Sequence, residues 1–216
     1  MHIEFSLYDI ATNESELKDS LTNLLKYNID SLSVLPFYTK TVKNFIGSSI
    51  PLSVPIDYPL GLLDSKSRLI AIEQAIKSGV QIIDLVCPSS LLSNRKYDKF
   101  REDIKNANEL CGQSNIQLRY FLEYRIYSYE LLYKLAQILR DFGVSTIFPS
   151  TGYFLDDIHD NILATALINK KVPDINIISN GNIWNKNHAQ ILKKTNLYGI
   201  RLNSINSLKL LKDQNI

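Results

Sequence analysis

Histidine is scarce in this chain: 216 residues include three, His2, His159 and His188. They stand far apart, with no His-x-His or His-Glu-x-x-His spacing, which argues against a histidine-built metal centre. No metal and no cofactor is expected. Cys87 and Cys111 are the two cysteines, with neither metal nor redox spacing, so they read as buried thiols of a reducing compartment. Cys87 follows Asp84 closely but has no histidine neighbour in sequence to activate it as a nucleophile. No glycine-rich fingerprint follows the first apolar segment, which counts against a dinucleotide-binding sheet. No apolar run approaches the ~18 residues of a membrane-crossing helix. The opening "MHIEFSLYDI" carries Glu4 where a signal peptide is basic, so a cytoplasmic location is expected. Charge of one sign is missing too. Twenty-four basic against 22 acidic residues leave +2, too little for a nucleic-acid field. Lys170–Lys171 and Lys193–Lys194 read as solvated helix ends, and neither nucleic acid nor membrane is an expected partner.

What the chain does have is alternation. "DSKSRLIAIEQAIKSG" offers a cap at Asp64 or Ser65, apolar positions at Leu69, Ile72 and Ile76, and a stop at Gly79. "SYELLYKLAQILRDFG" does the same from Ser128 to Gly143, and "NESELKDSLTNLLKY" pairs Asn13 with Glu16 as a capping box. "KYDKFREDIKNANELCG", "DDIHDNILATALI" and "NKNHAQILKK" are further helices. Between them lie "HIEFSL", "SLSVL", "IPLSVPI", "VQIIDLV", "IQLRYFL", "VSTIF", "DINII" and "YGIRL", short and mostly β-branched or aliphatic, as strands are. With 45% hydrophobic residues and no linker, repeat or low-complexity tract, residues 1–216 are expected to form a single (β/α)8 TIM-barrel domain. A doubly wound open sheet is the rival.

Charges inside such strands need partners. Glu4 and Ser6 share a face of the first strand, Asp84 interrupts "IIDLV", and Arg201 interrupts "GIRL". Arg119, Phe121 and Glu123 are spaced to share a face of the fifth. If these point inward, Asp84 and Arg119 come from neighbouring strands and can pair. Two accounts stand: a satisfied buried ion pair that holds the barrel together, or the polar floor of a site.

Several local motifs follow one another in order: "YPLG" at Tyr58–Gly61, "AIKSGVQIIDLV" around Asp84, "LRYFLE", "PSTGY" and "ISNGNI". From Ile3 to Leu211 this order resembles the deoxyribose-phosphate aldolase family. The resemblance implies a class I aldolase barrel, with Asp84 at the family's catalytic aspartate. It places Phe148 where the family's strand-six lysine forms a Schiff base and Ile178 where a strand-seven lysine tunes it. Arg119 stands at the lysine of the proton relay. An imine needs an amine that can lose its proton, which neither Phe148 nor Ile178 has, and an arginine stays protonated. The chain's lysines fall in helices and loops, Lys40 after the second strand included. A metal-held enolate would need histidines the chain lacks.

The ligand end keeps more of the pattern. The turn Ser150-Thr151-Gly152 survives, as does Gly181, while Asn182 replaces a glycine. Arg201, Asn203 and Ser204 stand over the family's Gly-x-Ser-Ser phosphate segment at its first, third and fourth positions. Arg201 either contacts an anion bidentately or fills the pocket, satisfied by Glu4 or Ser6. The expectation is a divergent aldolase-like protein that binds a small anionic, sugar-phosphate-like ligand without Schiff-base chemistry. Asp84 or Glu123 would act as acid or base, with Arg119 and Arg201 on the anion. Beside it stand a regulatory pseudoenzyme, a genuine lyase using another lysine, and a structural barrel. The tyrosines of "EYRIYSY" (Tyr124, Tyr127, Tyr129) suit a lid, a homo-oligomer interface or simple packing. Trp184 either closes over a ligand or sits beside a helix cap at Asn185.

Overall fold

A computed structural model of the chain describes residues 1–154, 157–194 and 197–214. Eight strands, β1 (His2–Leu7), β2 (Ser31–Val34), β3 (Leu52–Ile56), β4 (Ile82–Val86), β5 (Gln117–Phe121), β6 (Thr146–Phe148), β7 (Asn176–Asn180) and β8 (Gly199–Leu202), pair in parallel and close on themselves in chain order. The open-sheet rival is thereby excluded, and the fold is a (β/α)8 TIM barrel. Around it run α1 (Glu14–Leu24), α2 (Thr39–Ile46), α3 (Ser65–Ser78), α4 (Ser89–Ser93), α5 (Tyr97–Gln113), α6 (Tyr129–Asp141), α7 (Ile158–Lys171), α8 (Lys186–Lys194) and α9 (Ile205–Asp213).

Local chemistry sets the helix ends. The Asn13 side chain accepts from the Ser15 and Glu16 amides at 3.0 Å each, and Glu16 returns the bond to the Asn13 amide at 3.0 Å. That reciprocal box turns Leu17, Leu21 and Leu24 onto the sheet. Asp64 and Ser128 cap α3 and α6 by accepting from the Ser67 and Leu131 amides, and Gly79 ends α3 with a left-handed φ of 78°. Helices α2 and α9 were not among the segments read from sequence. Their buried positions, Thr39, Val42 and Ile46 in α2 and Ser207, Leu208 and Leu211 in α9, follow helical spacing over only about two turns, a weak periodic signal.

Each strand is buried on both faces. Outward residues such as Phe5, Leu32, Val54, Leu85, Tyr120, Ile147 and Ile200 join the helices in the main core. Inward, Val86, Phe121, Phe148 and Ile178 form a separate apolar cluster against Tyr58. Val86 lies opposite Phe121 and Phe121 opposite Phe148, so these three make one continuous layer at the C-terminal rim.

Beyond β3 the chain turns through Asp57, a non-glycine residue with φ of 59°, and a cis Tyr58–Pro59 bond. The turn is held by a buried cluster. Asp57 Oδ1 accepts from the Leu62 and Leu63 amides at 2.8 and 3.0 Å. Its Oδ2 meets Arg68 Nη1 at 2.5 Å, and Arg68 Nη2 meets Asp103 Oδ2 at 3.1 Å. Gly61 then passes so close to β4's end that a Cβ there would stand 2.1 Å from the Cys87 carbonyl oxygen. Only glycine fits, which gives the "YPLG" motif its physical meaning. The turn delivers Tyr58 to the barrel mouth.

Candidate functional site at the C-terminal mouth of the barrel

Barrel closure brings four charged side chains to the axis. β4 and β5 align Asp84 with Arg119, and the β1–β8 seam aligns Glu4 with Arg201. All four are buried. Arg119 Nε donates to Asp84 Oδ1 at 2.6 Å and its Nη2 reaches Asp84 Oδ2 at 3.1 Å. The same guanidinium bonds both oxygens of Glu4, at 2.8 and 3.2 Å. Arg201 Nη2 lies 2.5 Å from Asp84 Oδ2 and 3.0 Å from Glu4 Oε1, while its Nη1 donates to the Tyr8 hydroxyl at 2.9 Å. Ser53 adds a bond to Glu4 at 3.3 Å.

Two carboxylates and two guanidiniums cancel. Burial alone would raise the Glu4 carboxyl, but the two guanidiniums and their hydrogen bonds outweigh it and hold it down to about 2. Burial also works against the charge on Arg119 and Arg201, yet Asp84 and Glu4 raise both. The Tyr8 phenol is pushed up, chiefly by burial.

Phe148 completes the cluster. The centre of its ring lies 4.1 Å from Arg201 Cζ and 4.9 Å from Arg119 Cζ, and it packs on Phe121 with ring centres 4.6 Å apart. The ring thus presents its π-face to two partly desolvated cations.

Above this floor a cavity of about 680 Å³ opens at the strand C-termini. One wall is aromatic: the Tyr58 ring centre lies 5.0 Å from Tyr8 and 6.4 Å from Tyr153. The lining includes Thr151, Gly152, Gly181, Asn182, Arg201 and Asn203 of the residues expected from sequence. Asp84, Arg119, Phe148, Ile178 and Ser150 are buried beneath it.

The loops over β6 and β7 are pinned to their neighbours. Glu123 accepts from Thr151 at the amide (3.0 Å) and the hydroxyl (2.6 Å). β5 has ended at Phe121, and Glu123 sits in the following loop with φ of 100°. The expected shared face of Arg119, Phe121 and Glu123 is therefore corrected: the strand's alternation stops at Phe121, and Glu123 buttresses the Ser150-Thr151-Gly152 turn. Ser150 Oγ accepts from the Gly152 amide at 3.3 Å, and Asn180 Nδ2 donates to the Ser150 carbonyl.

After β7 the Gly181 amide donates to the Arg201 carbonyl at 3.2 Å. Asn182 Oδ1 accepts from the Asn203 amide at 3.2 Å, and Asn182 Nδ2 donates to Asn203 Oδ1. The Ile183 amide donates to Ser207 Oγ at 2.9 Å. Ser207 was not foreseen, since a serine inside α9 carries no sequence signal for a bond to another loop. Ser204 precedes α9 as its N-cap and makes no side-chain capping bond.

Other candidates lie elsewhere. Every lysine side chain described is exposed; that of Lys193 lies outside the described residues. Cys87 is buried, and burial pushes its thiol well up, the opposite of an activated nucleophile. Among the described residues no group of three or more His, Cys, Asp or Glu side chains could hold a metal ion, and no helix is long and apolar enough to cross a membrane. Trp184 is exposed, and Asn185 beside it accepts from the His188 amide at 3.0 Å in the first turn of α8. Tyr124 and Tyr127 pack half-buried on the core, and Tyr129 is exposed.

No family model matches the chain. Its sequence is similar to proteins named deoxyribose-phosphate aldolase. One, from Clostridium tetani, is 27% identical over 70% of each chain. Another, from Mycoplasmopsis pulmonis, is 24% identical over all of this chain and 96% of its own length. Among solved structures, an aldolase designated QR15 superposes with a TM-score of 0.88 at 19% identity, covering 99% of this chain and 96% of its own. The tetrameric deoxyribose phosphate aldolase from Aeropyrum pernix gives 0.82 at 16% identity, covering 99% and 89%. Together these support an aldolase-like scaffold of the deoxyribose-phosphate aldolase type.

Proposed function

We propose that this chain binds a small molecule non-covalently at the C-terminal mouth of an aldolase-like barrel and does not carry out Schiff-base aldol chemistry. The carrying observation is the closed state of the interior. Both oxygens of Asp84 accept from arginines, at 2.6 Å on one side and at 3.1 and 2.5 Å on the other. Three charge-assisted bonds, each worth roughly 1.5–3 kcal/mol, hold that carboxylate between the two arginines. In this reading Asp84 and Arg119 hold the barrel together. Phe148 and Ile178 seal the floor where the aldolase pattern expects amines, and exposed lysines leave no described amine at the axis. Thr151, Gly152, Gly181, Asn182 and Asn203 contact the ligand. The regulatory pseudoenzyme is thus preferred over an enzyme of altered chemistry.

One observation favours the enzymatic alternative. Glu123 touches Thr151, which lines the cavity, so a ligand that displaced Thr151 would meet a carboxylate.

Two experiments separate these. Borohydride reduction in the presence of acetaldehyde or 2-deoxyribose 5-phosphate should give only scattered labelling of exposed amines, and a stoichiometric adduct at a single lysine, absent from the unfolded chain, would overturn the proposal. An exchange assay by NMR should show no proton exchange at carbon in either compound. Exchange abolished by Glu123→Gln would establish the alternative instead.

A further inference from the structure

The binding reading above leaves the ligand's chemistry open, and the mouth itself narrows it. A phosphate group is normally held by free backbone amides and an uncompensated cation. After β7 and β8 the amides of Gly181, Ile183 and Asn203 already donate within the protein, to Arg201, Ser207 and Asn182 respectively. Asn182 and Asn203 also bond side chain to side chain. This carboxamide clamp ties the loops after β7 and β8 to each other.

Charge points the same way. Among the described residues that line the cavity, Asp9 and Arg201 bear charge. Arg201 is matched by Glu4 and Asp84, and its Nε, which lacks an acceptor, is sealed from solvent. What remains at the surface of the mouth is an acid and a set of neutral hydrogen-bonding groups, Thr12, Asn182 and Asn203 among them. Aromatic side chains share the lining: Tyr58 is edge-on to Tyr153, with Tyr153 61% and Trp184 71% exposed. Aromatic faces beside neutral polar groups suit a ring that stacks on one side and offers hydroxyls on the other.

We infer that the mouth takes an uncharged, ring-bearing polyhydroxy compound, a free sugar or a nucleoside, and discriminates against its phosphate ester. The inference rests on the non-covalent binding reading.

Ligand-observed NMR and calorimetry on the full chain test it with 2-deoxyribose, thymidine and 2-deoxyribose 5-phosphate. At least one neutral probe should bind, and the ester should bind at least about tenfold more weakly than the free sugar or nucleoside, a loss of the size one charge-assisted contact represents. Thymidine ahead of 2-deoxyribose assigns a nucleoside, and the reverse order a free sugar. Tyr153→Ala, at an exposed position, should weaken the neutral probe about fivefold. Asn182→Gly, which releases the Asn203 amide, should shift the ratio of ester to neutral-probe affinity about tenfold toward the ester, and an unchanged ratio would overturn the inference. An ester bound as tightly as the neutral compounds by the unmodified chain would overturn the inference and leave the binding reading intact. If none of the three binds at millimolar concentration, both are overturned.

Discussion

The molecule buries two arginine clusters, and they are built differently. Outside the barrel, Arg68 stands between Asp57 and Asp103. One cation faces two carboxylates, and the surplus acid is absorbed because Asp57 also accepts two backbone amides. That cluster shapes a loop. On the barrel axis, two cations face two carboxylates, which accept from the side chains of Arg119, Arg201 and Ser53. Its members pair chiefly with one another, with Tyr8 and Ser53 as further partners, and all four lie on strands. The contrast separates an ion cluster that positions a segment from one that plugs a space.

Removing one axial cation should do the most damage. Arg119→Met leaves Glu4 and Asp84 facing a single guanidinium and is expected to cost about 3–5 kcal/mol, the scale for stranding a buried charge. Urea unfolding measures it, and a loss below about 1 kcal/mol would mean the axial four are not a closed unit. Acid should come next. Glu4 is held at about 2 in the folded chain, below its ordinary carboxyl value. Its contribution, ~3 kcal/mol, is therefore complete above pH ~4.5 and vanishes as pH falls through 2. A stability curve flat across that window would contradict the cluster's electrostatics. Arg68→Met should cost less, about 2–3 kcal/mol, because Asp57 keeps its amide donors. A cost equal to that of Arg119→Met would erase the distinction between plug and loop support. Smallest is Phe148→Leu, at about 1–2 kcal/mol, from a modest cavity plus the lost ring–cation contacts. No measurable change would show that the ring only fills volume.

Much of the scaffold was legible before any coordinates. Strands buried on both faces read as short aliphatic runs, so all eight could be found, and charges within "IIDLV" and "IRL" marked the interior because nothing about packing explains them. Asp84 and Arg119 could be paired in advance because they fall at like depth on consecutive strands. Glu4 and Arg201 were each visible, and Glu4 was named as a partner for Arg201. The four-way arrangement was not, since it depends on how closure staggers the seam. Glu123 was misplaced because a period of two says nothing about where a strand stops. The clamp joining Asn182, Asn203 and Ser207 was illegible for a similar reason. It links loops through side chains whose aim is set by backbone turns, and asparagine in a loop predicts a hydrogen bond without naming its partner.

The provenance of the four axial charges along the chain has a further consequence. Both acids, Glu4 and Asp84, belong to the first four strands, and both guanidiniums, Arg119 and Arg201, belong to the last four. Each half-barrel therefore carries an inner face of one sign. A doubled first half would set carboxylate against carboxylate, and a doubled second half guanidinium against guanidinium, so either would bury like charges together. In the closed cylinder, each carboxylate of the first half instead meets guanidiniums of the second.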